Sequence, residues 1–242
     1  MSRLPKAPLI EVIFELRWTS LDANELQDSQ YLHGDLYPLI KDKYPYREAI
    51  QGFTMPSFFN APTHRFRTAA NDYPLVQIGP GILTINTVDS KYFWSEYETW
   101  VIDIIGNLKK IYAFKNTQNV RLTLQYIDLV RFDFDKENVL DFLKEHLHIT
   151  INQGFYTSQS IAKNVGLALN FDNDLGTLNI SINRGKNTLG EDGIAIQTNL
   201  TSGDVEPEIQ HIRDWLAKAH ELTSSIFKEM TKGKLQEAFA SK

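Results

Sequence analysis

The run Thr177-Leu178-Asn179-Ile180-Ser181-Ile182-Asn183, followed by Ile194-Ala195-Ile196-Gln197-Thr198-Asn199-Leu200, decides the fold. Its side chains alternate with a period of two, which a strand satisfies and a helix does not. Leu178, Ile180 and Ile182 share one side, as do Ile194, Ile196, Thr198 and Leu200 on the next strand. The opposite side carries Thr177, Asn179, Ser181, Asn183, Gln197 and Asn199, small or uncharged polar residues where a merely solvated sheet more often has Lys and Glu. Val165 to Phe171 extends the pattern through Gly166, Ala168 and Asn170, and Asp172-Asn173-Asp174-Leu175-Gly176 reads as a hairpin turn into the next strand. An antiparallel sheet follows, one face buried and the other open.

Working outward, Arg121 to Phe134 reads as a strand whose Leu122, Leu124, Tyr126, Val130, Phe132 and Phe134 share a face. A helix is predicted from Asn138 to Leu147. The closing helix starts after Asp204 and runs on Ile212, Trp215, Leu216, Ala219, Leu222, Ile226 and Met230, with Pro207 in its first turn. The first half has the same order. Pro8 to Trp18 is a strand with Ile10, Val12, Phe14, Leu16 and Trp18 on one side; Leu21 to Lys43 is a helix interrupted at Gly34 and Pro38. Short strands follow at His64 to Ala70, Leu75 to Gly79 and Gly81 to Val88. A long amphipathic helix then carries Tyr97, Trp100, Val101, Ile104, Ile105, Leu108 and Ile111. The predicted fold is α+β: two tandem strand-helix-three-strand-helix units, 1–118 and 119–242, forming one continuous antiparallel sheet with helices on one face. A saddle or helix-grip arrangement has this form, and residues 1–242 are expected to make one domain, since no Pro/Gly/Ser-rich linker parts the halves.

At 242 residues, 42% of them hydrophobic, the chain has material for a large core. Twenty-five Lys and Arg against 30 Asp and Glu leave a net charge of −5, which disfavours nucleic acid as the default partner. The absence of cysteine removes disulfides, thiolate metal sites and cysteine nucleophiles, and fits a reducing, cytoplasmic setting. Charges within Phe93 to Phe114, among them Glu96, Asp103 and Lys109, speak against a membrane span there. No Walker, Rossmann, G-x-S-x-G or H-E-x-x-H pattern is present.

Two carboxylates stand out. Asp128 sits at a core-facing position between Tyr126 and Val130, where it must be paired or neutralised. Arg17 and Arg131 are off its face by parity, so a helix residue or a tyrosine hydroxyl is an equal candidate partner. Its role is either to pin the two halves together or to act as a general base, with Glu11 and a divalent cation, in a hydrolase or nuclease. Among the histidines, His220 borders the apolar stripe of the closing helix and is expected to pack on the sheet.

Three segments, Leu4-Pro5-Lys6-Ala7-Pro8-Leu9-Ile10-Glu11-Val12, Leu124-Gln125-Tyr126-Ile127-Asp128, and Trp215-Leu216-Ala217-Lys218-Ala219-His220-Glu221 with Phe227, together resemble a sporadically distributed family of uncharacterised prokaryotic proteins of about this length. That family's central stretch looks more like Arg-Tyr-Ile-Asn, where this chain has Gln125-Tyr126-Ile127-Asp128. The resemblance carries no activity with it. It implies horizontally moving bacterial loci, such as antiviral defence or toxin–antitoxin systems, and hence a protein partner.

The expected function is a non-catalytic binding or regulatory subunit acting on a partner protein or a small polar ligand, without a cofactor or metal. Its expected contact surface is the open sheet face, through Asn170, Thr177, Asn179, Ser181, Asn183, Gln197 and Asn199. Two alternatives remain: the metal-dependent hydrolase or nuclease using Asp128 and Glu11, and a nucleic-acid binder across the open sheet using Arg65, Arg67, Arg121 and Arg131. A homodimer is a further expectation, because the long helices offer edges for such a contact.

Overall fold

A computed structural model describes residues 5–19, 30–50, 61–88, 90, 92–114, 119–155 and 162–241. In chain order the elements are β1 (Leu9–Trp18), α1 (Leu32–Ile40), β2 (Tyr46–Ala49), β3 (His64–Arg67), β4 (Leu75–Gly79), β5 (Ile82–Val88) and α2 (Trp94–Ile111). The second half adds β6 (Val120–Arg131), α3 (Val139–His146), β7 (Gly166–Asn173), β8 (Gly176–Lys186), β9 (Asp192–Thr201), α4 (Ile209–Met230) and α5 (Lys234–Ala240). All nine strands join one antiparallel sheet in the order β2-β3-β4-β5-β1-β6-β9-β8-β7.

That order is symmetric about the β1–β6 pair. β5, β4 and β3 step away on one side as β9, β8 and β7 do on the other, so the opening strands of the two halves meet in the middle. The antiparallel α+β sheet predicted from the alternation is therefore present. β2 has no counterpart among the described residues of the second half and departs from the expected order, because Tyr46-Arg47-Glu48-Ala49 is too short and too polar to show a period. Gly34 and Pro38 lie inside the continuous helix α1 instead of breaking it, Pro38 standing exposed. Residues 20–29 of the longer helix expected there lie outside the described residues, as do 115–118 between the halves.

Burial follows the pleat. Val12, Phe14, Leu16 and Trp18 of β1 are buried, and Leu122 and Leu124 of β6, Ile180 and Ile182 of β8, and Ile194, Ile196 and Leu200 of β9 continue the same layer. They join α2 (Val101, Ile104, Ile105, Leu108) and α4 (Ile212, Trp215, Leu216, Ala219) in one contiguous apolar cluster spanning both halves. Each such side chain contributes about 1.5–3 kcal/mol by leaving water. Polar pins fix the layers: the Tyr97 hydroxyl donates to the Ile85 carbonyl at 2.7 Å, and Trp215 Nε1 donates to the Leu175 carbonyl at 2.9 Å. Asn138 caps α3, its side chain accepting from the Leu140 amide.

The opposite sheet face is open over the second half only. In the first half Arg67, Leu75, Thr84 and Asn86 point to that side and are buried. The backbone of Ala61 lies against Gly79 there, so close that a Cβ on Gly79 would meet the Ala61 oxygen at 2.2 Å. Among the described residues no helix is long and apolar enough to cross a membrane.

Candidate functional site

Apart from Thr87 of β5, buried opposite Val12, the polar interruptions of the apolar layer cluster at one place. On β6 the inward positions read Leu122, Leu124, Tyr126, Asp128, Val130, and on β9 they read Ile194, Ile196, Thr198, Leu200. Tyr126 and Thr198 are register partners on adjacent strands, with Asp128 one inward position further along β6. Above them, α4 interrupts its own apolar stripe with His220, Thr223 and Ser224 before Phe227, a spacing that keeps all four on one helical face. Polar exceptions on three elements thus coincide. Between them lies a partly open cavity of about 140 Å³, also lined by Ala7, Pro8 and Leu9 ahead of and within β1 and by Tyr92 before α2.

A chain of hydrogen bonds runs along its wall. The Tyr92 and Tyr126 hydroxyls are 2.9 Å apart, and the Tyr126 hydroxyl is 2.7 Å from His220 Nδ1. The His220 ring stacks on Trp94, centroids 3.7 Å apart and planes 9° from parallel, which sets its orientation. Burial, reinforced by the Lys228 ammonium, lowers the His220 pKa to about 4, so the imidazole is neutral at ordinary pH. Burial likewise pushes the Tyr92 and Tyr126 hydroxyls upward, and both stay protonated. The wall therefore offers neutral donors and acceptors. Asp128, 5% exposed, supplies the cavity's carboxylate, and no Lys or Arg lines it among the described residues.

Thr198 is the exception among these groups. It is 2% exposed, and its hydroxyl has no hydrogen-bond partner among the described residues. The Thr223 hydroxyl, by contrast, is satisfied by the Ala219 carbonyl one helical turn back, at 2.8 Å. An unmet buried hydroxyl costs about 1–3 kcal/mol. A cavity of about 150 Å³ accommodates a molecule the size of benzene, so the space beside Thr198 suits a ligand of that size.

The residues singled out from sequence divide between two places. Asn170, Thr177, Asn179, Ser181, Asn183, Gln197 and Asn199 all lie on the open face of β7, β8 and β9, as the alternation predicted. Their amides are turned toward one another. Asn199 Nδ2 donates to Asn179 Oδ1 at 3.4 Å and Asn179 Nδ2 to Asn170 Oδ1 at 2.8 Å, forming a ladder across three strands. Thr123 and Thr201 meet at 3.1 Å, and Thr177 donates to Asp172 at 2.9 Å, forming a second row. Glu11 lies on the open face too, accepting from Asn86 at 2.8 Å and Tyr73 at 3.4 Å. Asp128 is on the covered face. The sheet stands between the two carboxylates, so they do not share a site.

Of the four arginines, Arg65 and Arg67 pair with Glu48 across β2 and β3, Arg121 with Asp204, and Arg131 with Glu191. Their charges are met within the chain. No group of three or more His, Asp or Glu side chains converges as metal ligands among the described residues.

His220 and Asp128 were visible in the sequence as irregularities, and Thr198 as a polar residue at a core parity. Tyr92 was not, because it lies outside β5 and α2 and shares the period of neither. No known protein family, curated protein or solved structure matches the chain. The resemblance of its three segments to a prokaryotic family therefore assigns no residue a role, and the functional reading rests on this geometry.

Proposed function

We propose that the chain is a non-catalytic binding protein for a small polar molecule, held in the cavity between α4 and strands β6 and β9. Thr198 lines the cavity, and its unmet buried hydroxyl is the observation that carries this reading. A buried donor without a partner is expensive to keep unless something else satisfies it. The ligand class is a neutral or cationic molecule of roughly six to eight heavy atoms, sized by the benzene comparison, bearing at least one acceptor for Thr198. Anions are disfavoured, since the lining carries Asp128 and a neutral His220 and no basic residue among those described.

The test is a panel of small amides, alcohols, amines and carboxylates screened by ligand-observed NMR and thermal shift. Amides, alcohols or amines should bind, and Thr198→Val and Tyr126→Phe should each remove the binding while circular dichroism stays native. Binding that survives both changes, or a panel in which only carboxylates bind, overturns the reading.

A second reading, docking of a partner protein on the exposed half of the open face, is favoured by Asn199 Oδ1, which is buried there without a hydrogen-bond partner among the described residues. In a defence or toxin–antitoxin setting, which the family resemblance implies, that partner is encoded beside this chain, and both work in the cytoplasm.

A further inference from the structure

The sheet ends in two strands of opposite character. β2 is four residues long and carries Arg47 and Glu48, the latter tied to Arg65 and Arg67. Short, charged edges of this kind resist pairing with another chain. β7 is eight residues long and pairs with β8 through eight consecutive positions without a bulge. From Gly166 to Phe171 it contains no charge and no proline, and its pairing with β8 has no bulge, so these edge-blunting devices are absent over those six residues.

Its covered side is also incompletely covered. The neighbouring Leu178, Ile180 and Ile182 of β8 are buried, whereas Leu167 and Leu169 are half-buried and Phe171 is 50% exposed. The apolar layer runs past the last strand.

We propose that β7 pairs with β7 of a second copy of this chain, antiparallel about a two-fold axis, merging two nine-stranded sheets into one. Three observations converge on a second copy in this orientation. The turn Asn173–Gly176 joins β7 to β8 through two residues and closes on a hydrogen-bonded pair. By alternation, Leu167, Leu169 and Phe171 direct their backbone groups to β8, and Gly166, Ala168, Asn170 and Asp172 direct theirs outward. Outward residues must face outward residues, and the register centred on Leu169 does this. It sets Ala168 opposite Asn170 and Gly166 opposite Asp172, and brings Phe171 against the second copy's Leu167 on the covered side.

Charge supplies the third observation. The end of the strand near Gly166 is flanked by exposed Lys186 and by Lys163, the latter paired with Asp135, and the end near Asn173 by exposed Asp174 and by Asp172, which accepts from Thr177. Antiparallel self-pairing brings basic ends to acidic ends twice, whereas parallel pairing would bring like ends together. A strand-edge contact of this length falls at the small end of specific interfaces, so the dimer is concentration-dependent.

The natural lack of cysteine makes the register directly readable. In a non-hydrogen-bonded antiparallel pair the facing Cα atoms are about 4.5 Å apart, within disulfide range. Leu169→Cys should therefore form an intermolecular disulfide under mild oxidation, and Ala168→Cys, which faces Asn170, should not. Sedimentation velocity of the unmodified chain should show a dimer fraction rising from low micromolar to submillimolar concentration. Ala168→Pro, which removes an outward amide and leaves the β8 ladder intact, and Asn170→Lys, which puts two ammonium groups close together, should each lose the dimer. A chain monomeric throughout that range overturns the proposal. So does a dimer that survives both edge variants, or one that cross-links through residue 168 and not 169.

Discussion

Thr198→Val separates stability from the proposed ligand binding at the cavity. The two side chains have the same shape and the same liking for strands, so the change removes one hydroxyl and little else. In the free chain that hydroxyl is 2% exposed and has no hydrogen-bond partner among the described residues. Replacing an unmet buried hydroxyl by a methyl returns part of its desolvation cost of about 1–3 kcal/mol. Water entering the cavity of about 140 Å³ offsets some of that, so the lower end, about 1 kcal/mol of added stability, is the expected value. For a chain of this size that is about 2–4 °C in Tm. Thermal and urea melts at neutral pH measure it. Thr201→Val is the control, because the Thr201 hydroxyl meets Thr123 at 3.1 Å and its loss should lower stability. Ligand should raise the Tm of the wild type and leave that of Thr198→Val unmoved, since only a state that binds is stabilised by mass action. If Thr198→Val melts at or below the wild type, the hydroxyl is already satisfied in the free chain and the argument for a ligand fails.

Trp215, 8% exposed and donating to the Leu175 carbonyl, joins α4 to the β7–β8 turn; Trp215→Ala should cost ~3–5 kcal/mol in a denaturant melt, and a loss under ~1 kcal/mol would mean that α4 is held elsewhere. The neutral His220 makes stability depend on acidity: its pKa falls from 6.5 to about 4 on folding, so between those values the unfolded chain binds a proton that the folded chain refuses. Stability should be fully present above pH 6.5 and decline as pH falls toward 4; a His220→Gln melt series with an equally steep decline would assign the effect to other groups. On the open face, Asn179→Ala cuts the amide ladder at both of its bonds. The expected loss is about 1 kcal/mol, and a change below the error of a urea melt would show that the ladder does not contribute to stability.

The sheet was legible because its signal is repeated. Leu178, Ile180, Ile182, Ile194, Ile196 and Leu200 all make the same statement, and the two halves make it in the same order, so an error at any one position is outvoted. What sequence could not supply is which polar side stays open: Thr84 and Asn86 alternate as cleanly as Thr177 and Asn179, yet the former are buried and the latter are not. Asn86 is tied to Glu11, which also accepts from Tyr73, and Thr84 accepts from Gln77, contacts between strands and loops that follow no local period.

The cavity lies at the other extreme, since its signal is made of single exceptions. A threonine in a strand, a histidine beside a helix stripe and a carboxylate on a core parity each have an ordinary structural explanation when met alone. Tyr126 and His220 are 94 positions apart, and nothing in their own neighbourhoods links them. The link is the strand order, which sets β9 beside β6 and lays α4 across both. Once that order is known, the coincidence carries weight. Three elements of a mainly apolar layer place their polar residues together at one point, whereas exceptions distributed for solvation would lie at the edges of the layer. One member of the cluster, the Thr198 hydroxyl, contributes nothing to holding the layer together. A residue that costs stability in the free chain, among neighbours that are hydrogen-bonded to one another, is the arrangement that the proposed ligand site requires and that Thr198→Val tests.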